Sequence, residues 1–210
     1  MLKTLSTLST LSTLSTLLKM IPHLKLRHWI DPDRLVSWQL SKNPNAIHYL
    51  ENHPEKIDWG MLSKNPNAIH LLEKNLDKVN WDYLSENENA INLLEKYPDR
   101  VEWSFLSRNP NAIHLIENNL DKVNWLQLSF NRNAIHLLKD NPDKINWYAL
   151  CFNPNAKGLL SQHKDKILWD NASCNSGLVE LLTQHLDKIC WSGLSYNYNA
   201  MPLLEANIDL

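Results

Sequence analysis

The sequence predicts an all-α solenoid of eight short repeats, and three observations carry this prediction. Seven tryptophans recur every 22 residues without an insertion, from Trp59 to Trp191. The same phrase returns between them, as in residues 62–73, Leu-Ser-Lys-Asn-Pro-Asn-Ala-Ile-His-Leu-Leu-Glu. One repeat position is asparagine in all eight copies, from Asn43 to Asn197. A fixed period over most of a chain indicates stacked units, whose core becomes continuous only when neighbouring units pack together.

We number each repeat from its tryptophan, which is position 1, so that the asparagine is position 7. The first predicted element is an α-helix that follows this asparagine. Asparagine caps free backbone N–H groups, and proline suits the first helical position because its missing N–H has no partner there. Asn-Pro occurs in four copies, with proline at Pro44, Pro66, Pro110 and Pro154. Ala68, Ile69, Leu71 and Leu72 share one arc of roughly 160°, as on an amphipathic helix. We therefore expect a helix from position 8 to about position 17.

The second predicted element leads into the tryptophan of the next repeat. Proline at position 18, followed by Asp or Glu, again suits a helix N-terminus, and it occurs at Pro54, Pro98 and Pro142. Val79, Trp81 and Leu84 share no 3.6-residue stripe, so we expect a short helix with 3₁₀ character or an internal break. We also expect indole rings of successive layers to pack together, so that Trp→Ala costs about 3–5 kcal/mol.

Both ends of the array depart from this pattern. Residues 1–19 contain an expanded Leu-Ser-Thr triplet, with leucine at every third position from Leu5 to Leu17. A three-residue period drifts around an α-helix, so this low-complexity tail is predicted to be disordered. Its basic, acid-free composition leaves a mitochondrial transit peptide or a weak secretory signal as alternatives. Residues 20–37 are predicted to cap the array. Residues 38–210 are predicted to form the solenoid. Its last repeats are degenerate, and Pro202 should kink or shorten the final helix.

Composition excludes several classes of protein. The formal net charge of −2 argues against a dedicated nucleic-acid binder, and four glycines exclude Gly-rich phosphate loops. Three sparse cysteines make no disulfide framework, which indicates an intracellular setting. A run of about 18 apolar residues does not occur, so a transmembrane helix is not expected. The sequence gives no reason to expect a cofactor or a metal ion.

The phrase Asn-Pro-Asn-Ala-Ile-His-Leu-Leu-Glu, followed by Asp-Lys-Ile/Val-Asn-Trp, resembles the short tryptophan-containing repeat proteins of giant DNA viruses of amoebae and algae. The lead-in at residues 24–31 also looks like the opening of such proteins, and the resemblance covers residues 20–210. It implies a repeat fold and a viral origin, with the protein in the host cytoplasm or the virion. The family has no defined biochemical function, so the resemblance implies no catalytic residues. The unit is also similar in architecture to leucine-rich repeat variant proteins.

A histidine column at position 12 is the first candidate for chemistry, with members His48, His70, His114 and His136. Adjacent layers lie about 8–10 Å apart, whereas two ligands of one zinc ion lie within about 4 Å of each other. We therefore interpret these histidines as surface residues, and a pH-sensitive binding surface remains as an alternative.

The asparagine column is explained by capping. Cys151 and Cys174 have no evident base partner, so no catalytic nucleophile is predicted.

Position 6 changes character along the chain. It is charged in the first four repeats and mostly apolar in the last four: Lys42, Lys64, Glu86, Arg108, Phe130, Phe152, Cys174 and Tyr196. If position 6 faces solvent, Phe130, Phe152 and Tyr196 form an exposed apolar strip of the kind that binds a partner. The alternative is that these rings pack over neighbouring layers or against the tail.

These observations favour a non-enzymatic protein-interaction or scaffold protein that binds a host or virion protein through one extended face. A structural virion component is a variant of this hypothesis. The alternative from another class is nucleic-acid binding along the superhelix, which the net charge and the lack of a basic column disfavour. We expect a protein partner, no membrane, and a monomer.

Overall fold

The computed structural model describes residues 31–207, which are helical or irregular and contain no β-strand. Each repeat contributes two short α-helices. The first, called here the tryptophan helix, begins at position 1. Its bounds in the eight repeats are Ser37–Lys42, Trp59–Ser63, Trp81–Glu86, Trp103–Leu106, Trp125–Phe130, Trp147–Leu150, Trp169–Ser173 and Trp191–Leu194. The second helix follows at position 11. Its bounds are Ile47–Asn52, Ile69–Glu73, Ile91–Lys96, Ile113–Glu117, Ile135–Asp140, Lys157–Gln162, Val179–Thr183 and Met201–Glu205.

Short 3₁₀ helices connect these elements. Those at positions 18–20 are Pro32–Arg34, Pro54–Lys56, Leu76–Lys78, Pro98–Arg100, Pro142–Lys144, Lys164–Lys166 and Leu186–Lys188. Two more, Pro44–Ala46 and Ser176–Leu178, occupy positions 8–10. Positions 21 and 22 are extended, as at Val79 and Asn80, and they separate each 3₁₀ helix from the next tryptophan helix. The predicted break in the second element is therefore confirmed.

The predicted start of the long helix at position 8 is wrong. Positions 8–10 form a turn or a 3₁₀ helix, and the α-helix begins only at position 11, after an alanine N-cap such as Ala68. The chain instead forms an Asx turn, in which Asn65 Oδ1 accepts a hydrogen bond from the backbone N–H of Asn67 at 3.0 Å, and Asn67 Nδ2 holds this turn by donating to Pro44 O of the preceding repeat at 3.1 Å. Pro202 consequently lies in the first turn of Met201–Glu205, where its missing N–H removes no helical bond, so the predicted kink is also wrong.

The core runs the length of the array and is built from the same few positions in each layer. Leu62, Ala68 and Leu72, at positions 4, 10 and 14, are fully buried, and Val79 at position 21 is buried beside them. Tryptophan helices of successive repeats pack against one another. The predicted all-α solenoid, with layers that pack neighbour to neighbour, is thus confirmed.

The tryptophans recur at even steps, but they flank the core rather than form it. Trp59, Trp81 and Trp103 are only partly buried. The ring of Trp81 contacts Tyr97 of its own repeat, with centroids 5.4 Å apart, and Lys78 Nζ lies 4.8 Å from the centroid of Trp59. The ring–ring contacts within residues 31–207 include no Trp–Trp pair. The expectation that indoles of successive layers stack on one another is therefore corrected: each ring covers its own repeat.

The layers are joined by what we call the asparagine ladder, formed by position 7. Asn87 Nδ2 donates to the backbone carbonyl oxygens of Ser63 and Asn65 in the preceding repeat, at 2.9 and 3.0 Å. Its Oδ1 accepts from the N–H of Asn89 at 3.0 Å. Six asparagines make both cross-repeat bonds: Asn87, Asn109, Asn131, Asn153, Asn175 and Asn197. Capping is therefore only part of their role, because the same amide links each layer to the one before.

Position 5 makes a second set of links between layers. Ser129 Oγ donates to the carbonyl of Trp125 at 2.8 Å and accepts from the N–H of Asn146 in the next repeat at 3.1 Å. Asn146 in turn caps the following tryptophan helix through its side-chain oxygen, which accepts from Ala149 N–H at 2.9 Å. These polar groups are buried and satisfied, which fixes the register of one repeat on the next.

The predicted tail and most of the predicted cap, residues 1–30, lie outside the described residues. In the first described repeat the tryptophan helix starts at Ser37, so that Trp38 falls at position 2 and is 50% exposed. None of the helices in residues 31–207 is long and apolar enough to span a membrane.

Candidate interaction groove

A groove follows the asparagine ladder along the outside of the array. Position 7 is buried, so the side chains of positions 6 and 8 on either side of it emerge on the same surface and form the two walls. Two adjoining depressions share Glu86 and Glu88 and together extend from Lys42 to Pro154. The wall residues are Lys42, Lys64, Glu86, Arg108 and Phe130 at position 6, and Pro66, Glu88, Pro110, Arg132 and Pro154 at position 8. We call this surface the groove.

Two ion pairs line the groove. Lys64 Nζ lies 2.8 Å from Glu86 Oε2 and 4.5 Å from the ring centroid of Tyr83. Arg132 spans two repeats and contacts both carboxylate oxygens of Glu88, at 3.2 and 3.1 Å. These ion pairs are partly exposed and contribute little to stability, but they neutralise two of the four cations that line the groove, which are Lys42, Lys64, Arg108 and Arg132.

The second half of the groove is aromatic. The rings of Phe130 and Phe152 stack across adjacent repeats, with centroids 6.0 Å apart and planes at 30°. Arg108 Cζ lies 5.1 Å from the centroid of Phe130, and Tyr148 meets Phe152 edge-on at 5.4 Å. Phe152 remains 37% exposed and Tyr148 52% exposed. We call Phe130, Tyr148 and Phe152 the aromatic patch. The rings pack over neighbouring layers, as one interpretation of position 6 expected, and they are still partly exposed, while their binding of a partner stays a prediction.

Tyr196, the third predicted member of the apolar strip, lies apart from the patch. Cys174 occupies position 6 between Phe152 and Tyr196, and it is only partly buried. Tyr196 is 82% exposed, and Tyr198 at position 8 is 83% exposed, with its hydroxyl 2.8 Å from Ser176 Oγ. The structure thus joins Phe130 to Phe152 and leaves Tyr196 as an isolated exposed ring further along the same column.

A row of exposed amides at position 9 borders the groove, and sequence reasoning missed it. Asn133 Nδ2 donates to the carbonyl of Pro110 at 2.8 Å, and Asn155 Nδ2 donates to that of Arg132 at 2.7 Å. A primary amide has a second N–H and an acceptor oxygen, which these exposed side chains present to solvent. The signal in the sequence was asparagine at position 9 in seven of eight copies, with Gly177 as the exception. A Cβ at Gly177 would lie 2.0 Å from Pro154 O, so only glycine fits this close approach of two repeats.

Comparisons of the chain with protein-family models, with curated proteins and with solved structures find no match.

The histidine column lies on the second helices and pairs with glutamates one repeat earlier. His70 Nε2 lies 2.8 Å from Glu51 Oε1, and the pairs His114–Glu95 and His136–Glu117 repeat this contact at 2.9 and 2.8 Å. The hydrogen bond from His70 lowers the pKa of the Glu51 carboxyl below its usual value, against the smaller opposing effect of desolvation. Within residues 31–207 no group of three His, Cys, Asp or Glu side chains could hold a metal ion.

Among residues 31–207 the cysteines do not form a reactive centre with the histidines. Cys151 is fully buried at position 5, where Ser129 stands in the preceding repeat, and its Sγ accepts a long hydrogen bond from Leu168 N–H at 3.4 Å. Burial raises the pKa of this thiol, which disfavours the nucleophilic thiolate. Cys174 and Cys190 are free and partly buried. Cys151 thus replaces a serine of the layer contacts.

Proposed function

We propose that this chain is a non-enzymatic interaction or scaffold protein that binds a partner protein through the groove. The observation that carries the proposal is the aromatic patch, where Phe130, Tyr148 and Phe152 lie together, partly exposed, beside Arg108. Aromatic residues and arginine are the residue types that contribute most to binding at protein interfaces. The resemblance to tryptophan-repeat proteins adds the proposal that the protein is viral and that its partner is a host or virion protein.

The regular repetition of contacts along the groove supports a binding role over a catalytic one. Four of the six charged side chains that line the groove are engaged in ion pairs with one another, Lys64 with Glu86 and Arg132 with Glu88. A catalytic site needs a nucleophile, a base and convergent polar groups at one place. The groove instead offers an extended surface that alternates paired charges, exposed amides and rings.

The same ion pairs weigh against nucleic-acid binding along the superhelix. Phosphate recognition needs several cations free to replace counterions. Glu86 and Glu88 lie between the cations of the groove and already pair with Lys64 and Arg132. A fluorescence anisotropy titration with single-stranded RNA tests this alternative, and we expect no binding that strengthens as salt is lowered.

Affinity capture with paired variants tests the proposed function. Full-length tagged protein would be used to capture partners from a lysate of infected host cells, in parallel with Phe130→Ser/Phe152→Ser and with Leu186→Ser. Leu186 is an exposed apolar residue on a 3₁₀ helix outside the groove, so it controls for loss of surface hydrophobicity alone. We expect one partner set to bind wild type and Leu186→Ser equally and to be retained about tenfold less by the double variant.

A melting curve separates loss of binding from loss of folding. Both rings are partly exposed, so we expect the double variant to lose at most about 2 kcal/mol, which lowers the melting temperature by about 4–8 °C in a chain of this size. Equal capture by all three proteins would overturn the assignment of the groove. A cooperative collapse of the double variant near room temperature would instead assign the rings to the core.

A further inference from the structure

The groove is a positive surface on a negative chain. Four cations and two carboxylates line it, so its net charge is +2: Lys42, Lys64, Arg108, Arg132, Glu86 and Glu88. The whole chain has a formal net charge of −2. A local charge attracts a ligand of the opposite sign and raises its rate of association. The groove therefore favours an anionic segment of a partner.

Two of these cations are open to a ligand. Among residues 31–207, Lys42 and Arg108 make no ion pair, whereas glutamates hold the other two cations of the groove. Lys42 and Arg108 are both exposed. The side chain of Arg108 is oriented by Phe130, since its Cζ lies 5.1 Å from the centroid of that ring. A guanidinium group against a ring keeps edge N–H groups that can bind a carboxylate through two parallel hydrogen bonds.

An apolar site adjoins Arg108 on the next two layers. Phe130 and Phe152 stack with centroids 6.0 Å apart, and Tyr148 meets Phe152 edge-on. Phe152 is 37% exposed, so part of this surface is in contact with water. An apolar side chain that covers the rings removes them from water and stabilises a complex. A cation and an apolar surface thus lie side by side on successive repeats.

We propose that the groove binds an extended acidic peptide of a partner protein. A carboxylate of the peptide pairs with Arg108, and an apolar side chain three residues away along the peptide covers Phe130 and Phe152. This inference rests on the proposed function, and it names the class of segment through which the partner is bound.

The three-residue spacing follows from the repeat of the array. Packed helical layers lie about 8–10 Å apart, and each layer contributes one side chain at position 6. In a polyproline II helix, residues three apart share a face at intervals of about 9.3 Å. In a β-strand, residues on one face are two apart and recur every 6.4–6.8 Å or about that distance. A polyproline II segment therefore stays in step with the repeats, and a β-strand does not.

Exposed amides beside these side chains are suited to bind the backbone of such a segment. Asn111 Nδ2 donates to Glu88 O at 2.9 Å, and Asn133 Nδ2 donates to Pro110 O at 2.8 Å. Each amide retains a second N–H and an acceptor oxygen. A polyproline II backbone has no internal hydrogen bonds, so its own N–H and C=O groups need partners. Position 9 thus offers one amide per layer to a peptide that advances three residues per layer.

Fluorescence anisotropy of the full-length protein with synthetic peptides tests the proposal. Two probes with a neutral dye carry the acidic and apolar residues in the two chain directions, Ser-Pro-Glu-Pro-Ser-Phe-Pro-Ser and Ser-Pro-Phe-Ser-Pro-Glu-Pro-Ser. We expect at least one probe to bind with a Kd of about 10–100 µM, and more weakly as salt is added. Lys in place of Glu, or Glu placed directly beside Phe, should weaken binding at least about tenfold.

Charge variants of the protein locate the contact. Arg108→Glu should bind the Glu probe at least about tenfold more weakly and should prefer the Lys probe. Arg100→Glu is the matched control, because Arg100 is exposed on the 3₁₀ helix Pro98–Arg100, outside the groove, and this variant should bind as wild type does. Arg108→Gln removes the cation without adding a carboxylate near Glu86 and Glu88, so it reports the same loss if Arg108→Glu does not fold.

Three results would each overturn the proposal. They are no binding by either probe, equal binding of the Glu and Lys probes, and equal losses for Arg100→Glu and Arg108→Glu. Capture from lysate does not enter this measurement. Absent probe binding with selective capture would leave the proposed function standing. Specific probe binding, with equal capture by wild type and Phe130→Ser/Phe152→Ser, would overturn the proposed function alone.

Discussion

The side-chain amide nitrogen of Asn131 lies 2.9 Å from the backbone carbonyl oxygen of Asn109, its counterpart one repeat earlier. The same nitrogen donates to Ser107 O at 3.0 Å, and Asn131 Oδ1 accepts from Asn133 N–H at 3.0 Å. Asn131 is 1% exposed, so its side chain has no water to replace these partners. One amide thus shapes the turn of its own repeat and ties that turn to the layer before.

Asn131→Ala should lower the free energy of unfolding by roughly 2–4 kcal/mol, because it removes the Asx-turn hydrogen bond to Asn133 N–H and two buried hydrogen bonds to the preceding repeat. Asn133→Ala is the matched control. That side chain is exposed and makes one bond to Pro110 O, so its loss should cost less than about 1 kcal/mol. Urea unfolding followed by circular dichroism measures both. Similar losses for the two variants would mean that the buried ladder has no special role.

Trp81→Ala should cost about 3–4 kcal/mol, since the ring is only partly buried but most of its roughly 200 Å² leaves water. Its ring packs on Tyr97 at 5.4 Å rather than on another indole. Trp38→Ala is the comparison, because Trp38 is 50% exposed at position 2 and should cost about 2 kcal/mol. Urea unfolding measures both free energies, and equal losses for the two variants would contradict the deeper burial of Trp81.

The Glu51–His70 contact predicts a specific loss of stability in acid. Hydrogen bonding from His70 lowers the pKa of Glu51 in the folded state below its ordinary value of 4.5. The resulting stabilisation is present above pH 4.5 and disappears as the pH falls through the folded pKa. Glu51→Gln should therefore be less stable than wild type at pH 7, by at most about 1 kcal/mol because the pair is exposed, and the difference should vanish once the pH lies below the folded pKa of Glu51. Melting temperatures measured from pH 7 downwards test this, and a difference that does not shrink in acid would refute it.

Thiol labelling distinguishes the three cysteines. Cys151 is fully buried and burial raises its pKa, whereas Cys174 and Cys190 are partly exposed. Because the thiolate is the reacting form, iodoacetamide at about pH 8 should modify Cys174 and Cys190 at least about tenfold faster than Cys151 in the native protein. Mass spectrometry of quenched samples reports each site, and labelling in denaturant provides the control in which all three react. Rapid native labelling of Cys151 would contradict its place in the core.

The parts of the fold that repeat along one chain were predictable from the sequence. Burial of Leu62, Ala68 and Leu72 follows from their period and polarity, and the break before Trp81 follows from the missing helical stripe. The start of the second helix was not predictable in this way. Asn followed by Pro can open an α-helix or an Asx turn, and only the contacts of Asn67 with the preceding repeat decide for the turn.

The candidate groove was predicted only in part, because contacts between repeats are not specified by the sequence of one repeat. The change from charge to rings at position 6 is visible in the sequence and identifies Phe130 and Phe152. Positions 8 and 9 were accounted for as proline and asparagine of a helix start, so their place beside position 6 gave no separate signal. Contacts such as Glu88–Arg132 join residues 44 apart and depend on how two layers are rotated, which no single repeat specifies.

Each layer is held by its nearest neighbours through interchangeable contacts, and exchanging one whole repeat for another tests this arrangement. Trp81–Glu102 would be replaced with a second copy of Trp103–Asn124, which keeps the ladder asparagine, the core leucine and the serine in register. We predict a soluble, helical protein whose free energy of unfolding changes by no more than about 1–2 kcal/mol, since the exchange removes surface ion pairs such as Glu88–Arg132. An insoluble product, or one without a cooperative unfolding transition, would contradict the account.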